Sequence, residues 1–149
     1  MTAIRHALPE DDAAVTACVR AAYAVYVDRI GREPAPMTAD YAALIAAGAV
    51  WVAVEAGAVS GVLVLHARPP AMFVENVAVL PERQGRGVGR ELLGFAEGRA
   101  RKAGLAELVL YTNERMTENL SFYPAQGYVE TGRGMQDGFA RVFYRKALR

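Results

Sequence analysis

The sequence predicts an α/β (α+β) chain: a mixed, mostly antiparallel central sheet of six to seven strands, flanked by helices. Three observations predict it. Short, β-branched apolar runs alternate with stretches whose apolar residues recur at helical spacing. Two pairs of those runs are joined by turn-forming segments, which marks antiparallel hairpins. One run, residues 73–80, is instead followed by a proline, three alternating glycines and a helical pattern. The 149 residues suit one domain, 1–149, and no repeat, low-complexity segment or linker suggests a second.

Taken in order, residues 3–7 read as an edge strand. Pro9 and the acidic Glu10, Asp11 and Asp12 open a helix, although Leu8 sits where a capping side chain is usual. Val15, Cys18, Val19, Ala22 and Val25 share one face of it, so Cys18 reads as a buried apolar thiol rather than a nucleophile. Gly31, Pro34 and Pro36 break the helix. Thr38 is the expected cap of a second helix over residues 39–47, with Gly48 closing it. Val50–Glu55 and residues 59–66 form a hairpin around Ala56 and Gly57, with Trp51 in the core. His66 and His6 read as half-exposed histidines, and no second ligand near His66 calls for a metal.

The run 73–80 is the central strand, ended by Pro81. In the following helix Val88, Leu92, Leu93, Ala96 and Ala100 share a face. Gly94 and Gly98 weaken that helix by roughly 1 kcal/mol each relative to alanine, which predicts close helix–sheet packing. Arg101, Lys102 and Gly104 suit its end. Residues 108–112 make a fifth strand, and a helix carrying Phe122 and Tyr123 follows, shortened or kinked by Pro124. Residues 128–131 and 139–146 close the sheet as a hairpin with a 132–138 loop.

A strand, a glycine-rich turn and a helix N-terminus make a place for an anion, because the first helical amides have no intrahelical partner. The spelling excludes two common loops. Gly89 is followed by Arg90 and Glu91 rather than Lys and Ser/Thr, so it is not a P-loop. Counting from Gly85, the sixth position is Arg90 rather than glycine, so the dinucleotide fingerprint fails too. What remains is Gln-x-x-Gly-x-Gly, spelled by Gln84, Gly87 and Gly89. With the strand and proline before it and Leu92-Leu93 after it, this stretch resembles the acyl-CoA loop of the GCN5-related N-acetyltransferases (GNAT). Asn119, Phe122, Tyr123, Gly127 and Tyr128 match a second region of that family.

The resemblance covers essentially the whole chain and implies the acyl-CoA N-acyltransferase fold. It implies transfer of an acetyl group from acetyl-CoA to a primary amine of a small molecule or peptide, by direct attack in a ternary complex. Gln84, Gly85, Arg86, Gly87, Val88, Gly89 and Arg90 would hold the pyrophosphate without Mg²⁺. The fourth and fifth strands would splay, so that Val77, Ala78 and Val79 pair with pantetheine, with Asn119 bonding the same arm. Tyr123 would protonate the departing thiolate, and Glu75, a carboxylate in an apolar strand, is the candidate base or a substrate-orienting group. Tyr23, Tyr26, Arg29 and Arg32 are candidates for the acceptor side, Tyr26 and Arg29 foremost. The rival reading is a non-catalytic acyl-CoA-binding sensor.

The net charge of +1 gives no global pull toward nucleic acid or membrane. The single cysteine and the lack of a visible signal peptide predict a cytoplasmic protein. A homodimer is common in such folds and stays an open expectation. The acceptor stays open as well, among peptide N-termini, lysines, polyamines, amino acids and antibiotics.

Overall fold

The computed structural model describes residues 2–149. The strands are β1 (Ala3–His6), β2 (Val50–Glu55), β3 (Ala58–Arg68), β4 (Ala71–Val79), β5 (Glu107–Asn113), β6 (Val129–Gln136) and β7 (Phe139–Ala147). The helices are α1 (Asp12–Tyr23), α2 (Val27–Ile30), α3 (Tyr41–Ala46), α4 (Val88–Lys102) and α5 (Thr117–Ala125). One seven-stranded sheet runs in the order β1-β2-β3-β4-β5-β7-β6. Every neighbouring pair is antiparallel except β4 and β5, which are parallel.

Both faces of the sheet are covered, which explains why its middle strands read as apolar runs rather than as alternation. Val50, Val52, Val62 and Val64 pack on one face against Val15 and Val19 of α1 and Tyr41 and Ile45 of α3. Leu63, Leu65, Leu108 and Leu110 pack on the other against Leu92, Leu93, Ala96 and Ala100 of α4. Cys18 lies in the first cluster, where burial pushes its thiol up to about 12, so it is no nucleophile at neutral pH. The β2–β3 turn carries positive φ at Ala56 (49°) and Gly57 (79°), the geometry whose twist matches a hairpin.

Several expectations are corrected. The first helix stops at Tyr23, and a 3₁₀ turn over Ala24–Tyr26 leads into α2. Val25 thereby turns outward and is 58% exposed. Asp40, not Thr38, caps α3: its carboxylate accepts from the Ala43 amide, while Thr38 belongs to a preceding 3₁₀ turn. β6 runs on to Gln136, because Asp137 (φ 54°) and Gly138 (φ 79°) reverse the chain without a long loop.

The close helix–sheet approach comes from a different glycine. Gly94 and Gly98 have open space where a Cβ would sit. Gly61 on β3 instead faces α4: its Cβ would lie 3.0 Å from Leu92 Cδ1, 3.1 Å from Val88 Cγ1 and 3.2 Å from the Ala78 carbonyl oxygen. Gly61→Ala is expected to destabilise the fold by about 1–2 kcal/mol. Urea unfolding should show a lower midpoint with an unchanged slope.

Candidate active site

β4 and β5 pair only where they start. Their register runs Ala71–Glu107, Met72–Leu108 and Phe73–Val109, and beyond it the strands part. The Leu80 amide donates to the Ser60 carbonyl on β3. Backbone groups alternate sides along a strand, so the amides of Val77 and Val79 face away from β3, into the crevice. Two side chains meet the carbonyls on that edge. The Tyr23 hydroxyl lies 3.3 Å from the Val77 oxygen, and Gln84 Nε2 donates to the Val79 oxygen at 3.1 Å. Gln84 therefore bonds the strand edge.

The glycine turn stands at one end of this crevice. Gly85 and Gly87 have φ of 79° and 86°, and Gly87 is the residue from which α4 starts. The first intrahelical bond runs from the Glu91 amide to the Gly87 carbonyl, which leaves the amides of Val88, Gly89 and Arg90 without helical partners. A groove of about 710 Å³ runs from this turn along Val77, Ala78 and Val79 to Asn119, Phe122 and Tyr123. Arg90 lines it, whereas Arg86 is exposed outside the lining. Arg83 is occupied by Glu55 at 2.6 Å.

At the other end lies a cavity of about 430 Å³, lined by Phe73, Glu75, Tyr111, Asn113, Phe139 and Arg141 among others. Groove and cavity share Tyr23, Val77, Asn119 and Tyr123. Glu75 and Tyr123, far apart in sequence, are thus brought to one space. Glu75 Oε1 lies 2.7 Å from His66 Nε2, each side chain a little over a quarter exposed. His66 is therefore the partner of the candidate base rather than a bystander. Asn119 Nδ2 donates to Thr112 Oγ1 at 2.9 Å, which fixes its amide on the crevice wall.

The Tyr123 ring packs edge-on against Phe122 and Tyr128 and tilted against Tyr144. Among the described residues, the one sealed side-chain polar atom without a partner is the Tyr128 hydroxyl. The Tyr123 hydroxyl is not among such atoms, and Tyr123 lines both groove and cavity. Burial, with the neighbouring Tyr26 and Tyr144, raises the Tyr123 pKa above its ordinary value, so the phenol keeps its proton at neutral pH.

Sequence reasoning missed Asn76. It is 3% exposed, accepts from the Tyr23 hydroxyl at 2.7 Å and donates to the Tyr41 hydroxyl at 3.0 Å. Tyr41 in turn donates to the Pro36 carbonyl at 2.5 Å. This buried chain ties α1, β4 and α3 to the Pro34–Pro36 strap that borders the cavity. An amide inside an apolar strand was its only signal.

Tyr26 and Arg29, the foremost acceptor-side candidates, do not line the Glu75 cavity. Tyr26 lines the groove, not the cavity. Arg29 lines neither and pairs with both Glu118 oxygens, at 2.6 and 2.9 Å, so α2 is pinned to α5. The Arg29 guanidinium holds the Glu118 carboxyl down to about 2. A carboxyl depressed on folding adds stability that is present above its ordinary value and lost as pH falls through the folded one. The side chains are 38% and 55% exposed, so solvent and salt screen the pair and its contribution is small. Arg29→Ala is expected to lower Tm by about 3 °C or less at neutral pH. The gap from wild type should narrow as pH falls below 4.5, as thermal melts can follow.

Groove and cavity thus meet end to end along one strand edge, with Tyr123 at the junction. The family is carried by the sequence: the model of the Acetyltransferase (GNAT) family matches residues 15–128, and the chain belongs to that family. The fold agrees. The PaiA N-acetyltransferase of Thermoplasma acidophilum, solved in complex with coenzyme A, superposes with a TM-score of 0.84 at 16% identity over 99% of each chain. A GCN5-related N-acetyltransferase of Rhodopseudomonas palustris gives 0.81 at 25% identity, over 99% of this chain and 96% of that one. YncA of Salmonella typhimurium, solved with its cofactor acetyl-CoA, gives 0.74 at 22% identity, over 100% and 95%. No curated protein matches the sequence. Among the described residues no helix is long and apolar enough to cross a membrane, and no group of three or more His, Cys, Asp or Glu gathers to hold a metal.

Proposed function

We propose that the protein transfers the acetyl group of acetyl-CoA to a primary amine by direct attack within a ternary complex. The observation that carries this is the junction at Tyr23, Val77, Asn119 and Tyr123, where the groove from the glycine turn meets the Glu75 cavity. The open amides of Val88, Gly89 and Arg90 suit a diphosphate at a helix N-terminus, with Arg90 adding charge. The free strand edge at Val77–Val79 suits the amides of pantetheine, added as an extra strand. The Val77 or Val79 amide also suits the thioester carbonyl, as an oxyanion donor.

The chemistry balances with the residues at hand. The amine nitrogen bonds the acetyl carbon as the C–S bond breaks, and the electron pair leaves on sulfur. Glu75, directly or through water, takes the amine proton, and Tyr123 supplies one to the sulfur. His66 holds the Glu75 carboxylate in place.

The test has two arms. Calorimetry with acetyl-CoA, and an amine panel followed by release of free CoA, should both give signals. Binding without turnover on any amine would leave the sensor reading instead, and no binding at millimolar acetyl-CoA would remove both. Gly89→Asp sharpens the binding arm. Gly89 is the second helical residue, and its Cβ would meet only Phe122 Cζ at 3.4 Å and Val79 Cγ2 at 3.8 Å. An aspartate there favours the helix dipole yet repels a diphosphate. Acetyl-CoA affinity is expected to fall by about 2 kcal/mol, roughly thirtyfold in Kd, without loss of thermal stability.

A further inference from the structure

We infer that the acceptor is an amino-carboxylate: a small molecule with a free carboxylate beside its primary amine. This rests on the acetyl-transfer reading and adds the class of amine. The anchor is Arg141 on β7, which lines the cavity although it is only 5% exposed. Its guanidinium stacks 4.0 Å over the Tyr111 ring. Among the described residues only Nη1 has a hydrogen-bond acceptor, Gln136 Oε1 at 3.1 Å. The nearest carboxylate is Asp137, at 3.9 Å from Nη2, and that side chain is 79% exposed. The remaining Arg141 nitrogens are not among the sealed, partnerless atoms of the described residues, and Arg141 lines the cavity.

A nearly buried guanidinium that spends one nitrogen on a neutral amide and has no carboxylate within hydrogen-bond distance is a poor device for stability. It is a good device for binding, since its fork matches a carboxylate through two parallel bonds. Arg68 reinforces it. This second guanidinium lines the same cavity, 4.2 Å over the Phe73 ring. Phe73 and Tyr111 stack on each other at 5.6 Å, so both cations stand on one aromatic shelf.

The charges sort the acceptors. Besides the exposed Asp137, the cavity offers two arginines and one partly buried carboxylate, Glu75, which already holds His66. A polycation would meet Arg68 and Arg141 at close range. An amine at Glu75 with a carboxylate at Arg141 satisfies both ends. The roof favours a small molecule over a protein chain. Arg32 stacks 3.7 Å over Phe139 and donates to the Asp137 carbonyl at 2.8 Å, tying the segment before Pro34 to the β6–β7 turn. Pro34, Pro36 and Phe139 all line the cavity.

The experiment titrates the CoA-loaded protein with the free L-amino acids, their carboxamides and spermidine, and assays the same compounds for CoA release with acetyl-CoA. At least one free acid is expected to bind and react tenfold or more better than its own amide and than spermidine. In Arg141→Gln that preference should vanish through a raised KM, while acetyl-CoA binding and Tm stay near wild type. Arg141→Lys should keep part of it. Should Arg141→Gln fail to fold, Arg68→Gln on the surface takes its place, with a severalfold rise in KM for the acid and none for the amide. Equal or better use of the amides or spermidine, no binding by any free acid, or a preference that survives the substitutions would overturn the inference. Failure to bind acetyl-CoA would instead remove the acetyl-transfer reading on which it rests.

Discussion

Replacing Tyr123 by Phe is expected to lower kcat by about 10²–10⁴-fold and to leave acetyl-CoA affinity within about twofold. The substitution removes one oxygen and keeps the ring that packs on Phe122, Tyr128 and Tyr144. Fold and groove are therefore retained, and the loss reports on the proton. Direction matters as well. Burial raises the Tyr123 pKa, so the wild type holds its acid in the active form through neutral pH and loses it only on the alkaline side. That alkaline limb should be absent from the residual activity of Tyr123→Phe. Steady-state kinetics across pH, with calorimetric Kd values for acetyl-CoA, check both statements, and a fully active variant would remove the tyrosine from the mechanism.

Glu75→Gln should cost a comparable 10²–10⁴-fold in turnover at neutral pH. The amide is nearly isosteric, and its oxygen can still meet His66 Nε2 at the 2.7 Å that the carboxylate oxygen keeps. What it lacks is basicity. The deficit should shrink as pH rises toward the pKa of the amine, because an amine already free of its extra proton needs less help. A base in the mechanism requires that slope, whereas a carboxylate that only orients the acceptor would give a deficit independent of pH. The two outcomes separate the two roles left open for Glu75.

Much of this architecture was legible in the residues themselves. β4 is apolar apart from Glu75 and Asn76 because helices cover both of its faces, and the turn that follows spells its glycines at Gly85, Gly87 and Gly89. What escaped depends on chain distant in sequence. The pairing of Arg29 with Glu118, 89 residues away, is one such contact. Thr38 lost the cap to Asp40 because the preceding turn packs as a 3₁₀ helix. Two misses were nearer to hand. His66 pairs with Phe73 in the β3–β4 register and so stands diagonal to Glu75, two residues further on. Arg141 is a charge beside the apolar Val142, Phe143 and Tyr144 of β7, and it is buried where Arg145 of the same strand is exposed. The hairpin register would have found the first.

The parting of β4 from β5 beyond Phe73 and Val109 has a mechanical side. It leaves the strands as two panels, β1 to β4 and β5 to β7, stitched along a short hem. Any elongated molecule that borrows the Val77 and Val79 amides becomes a second row of stitching, shared by both panels. The supply of thioester would then govern how firmly the halves cohere, and deuterium uptake at those two amides would act as a gauge of it.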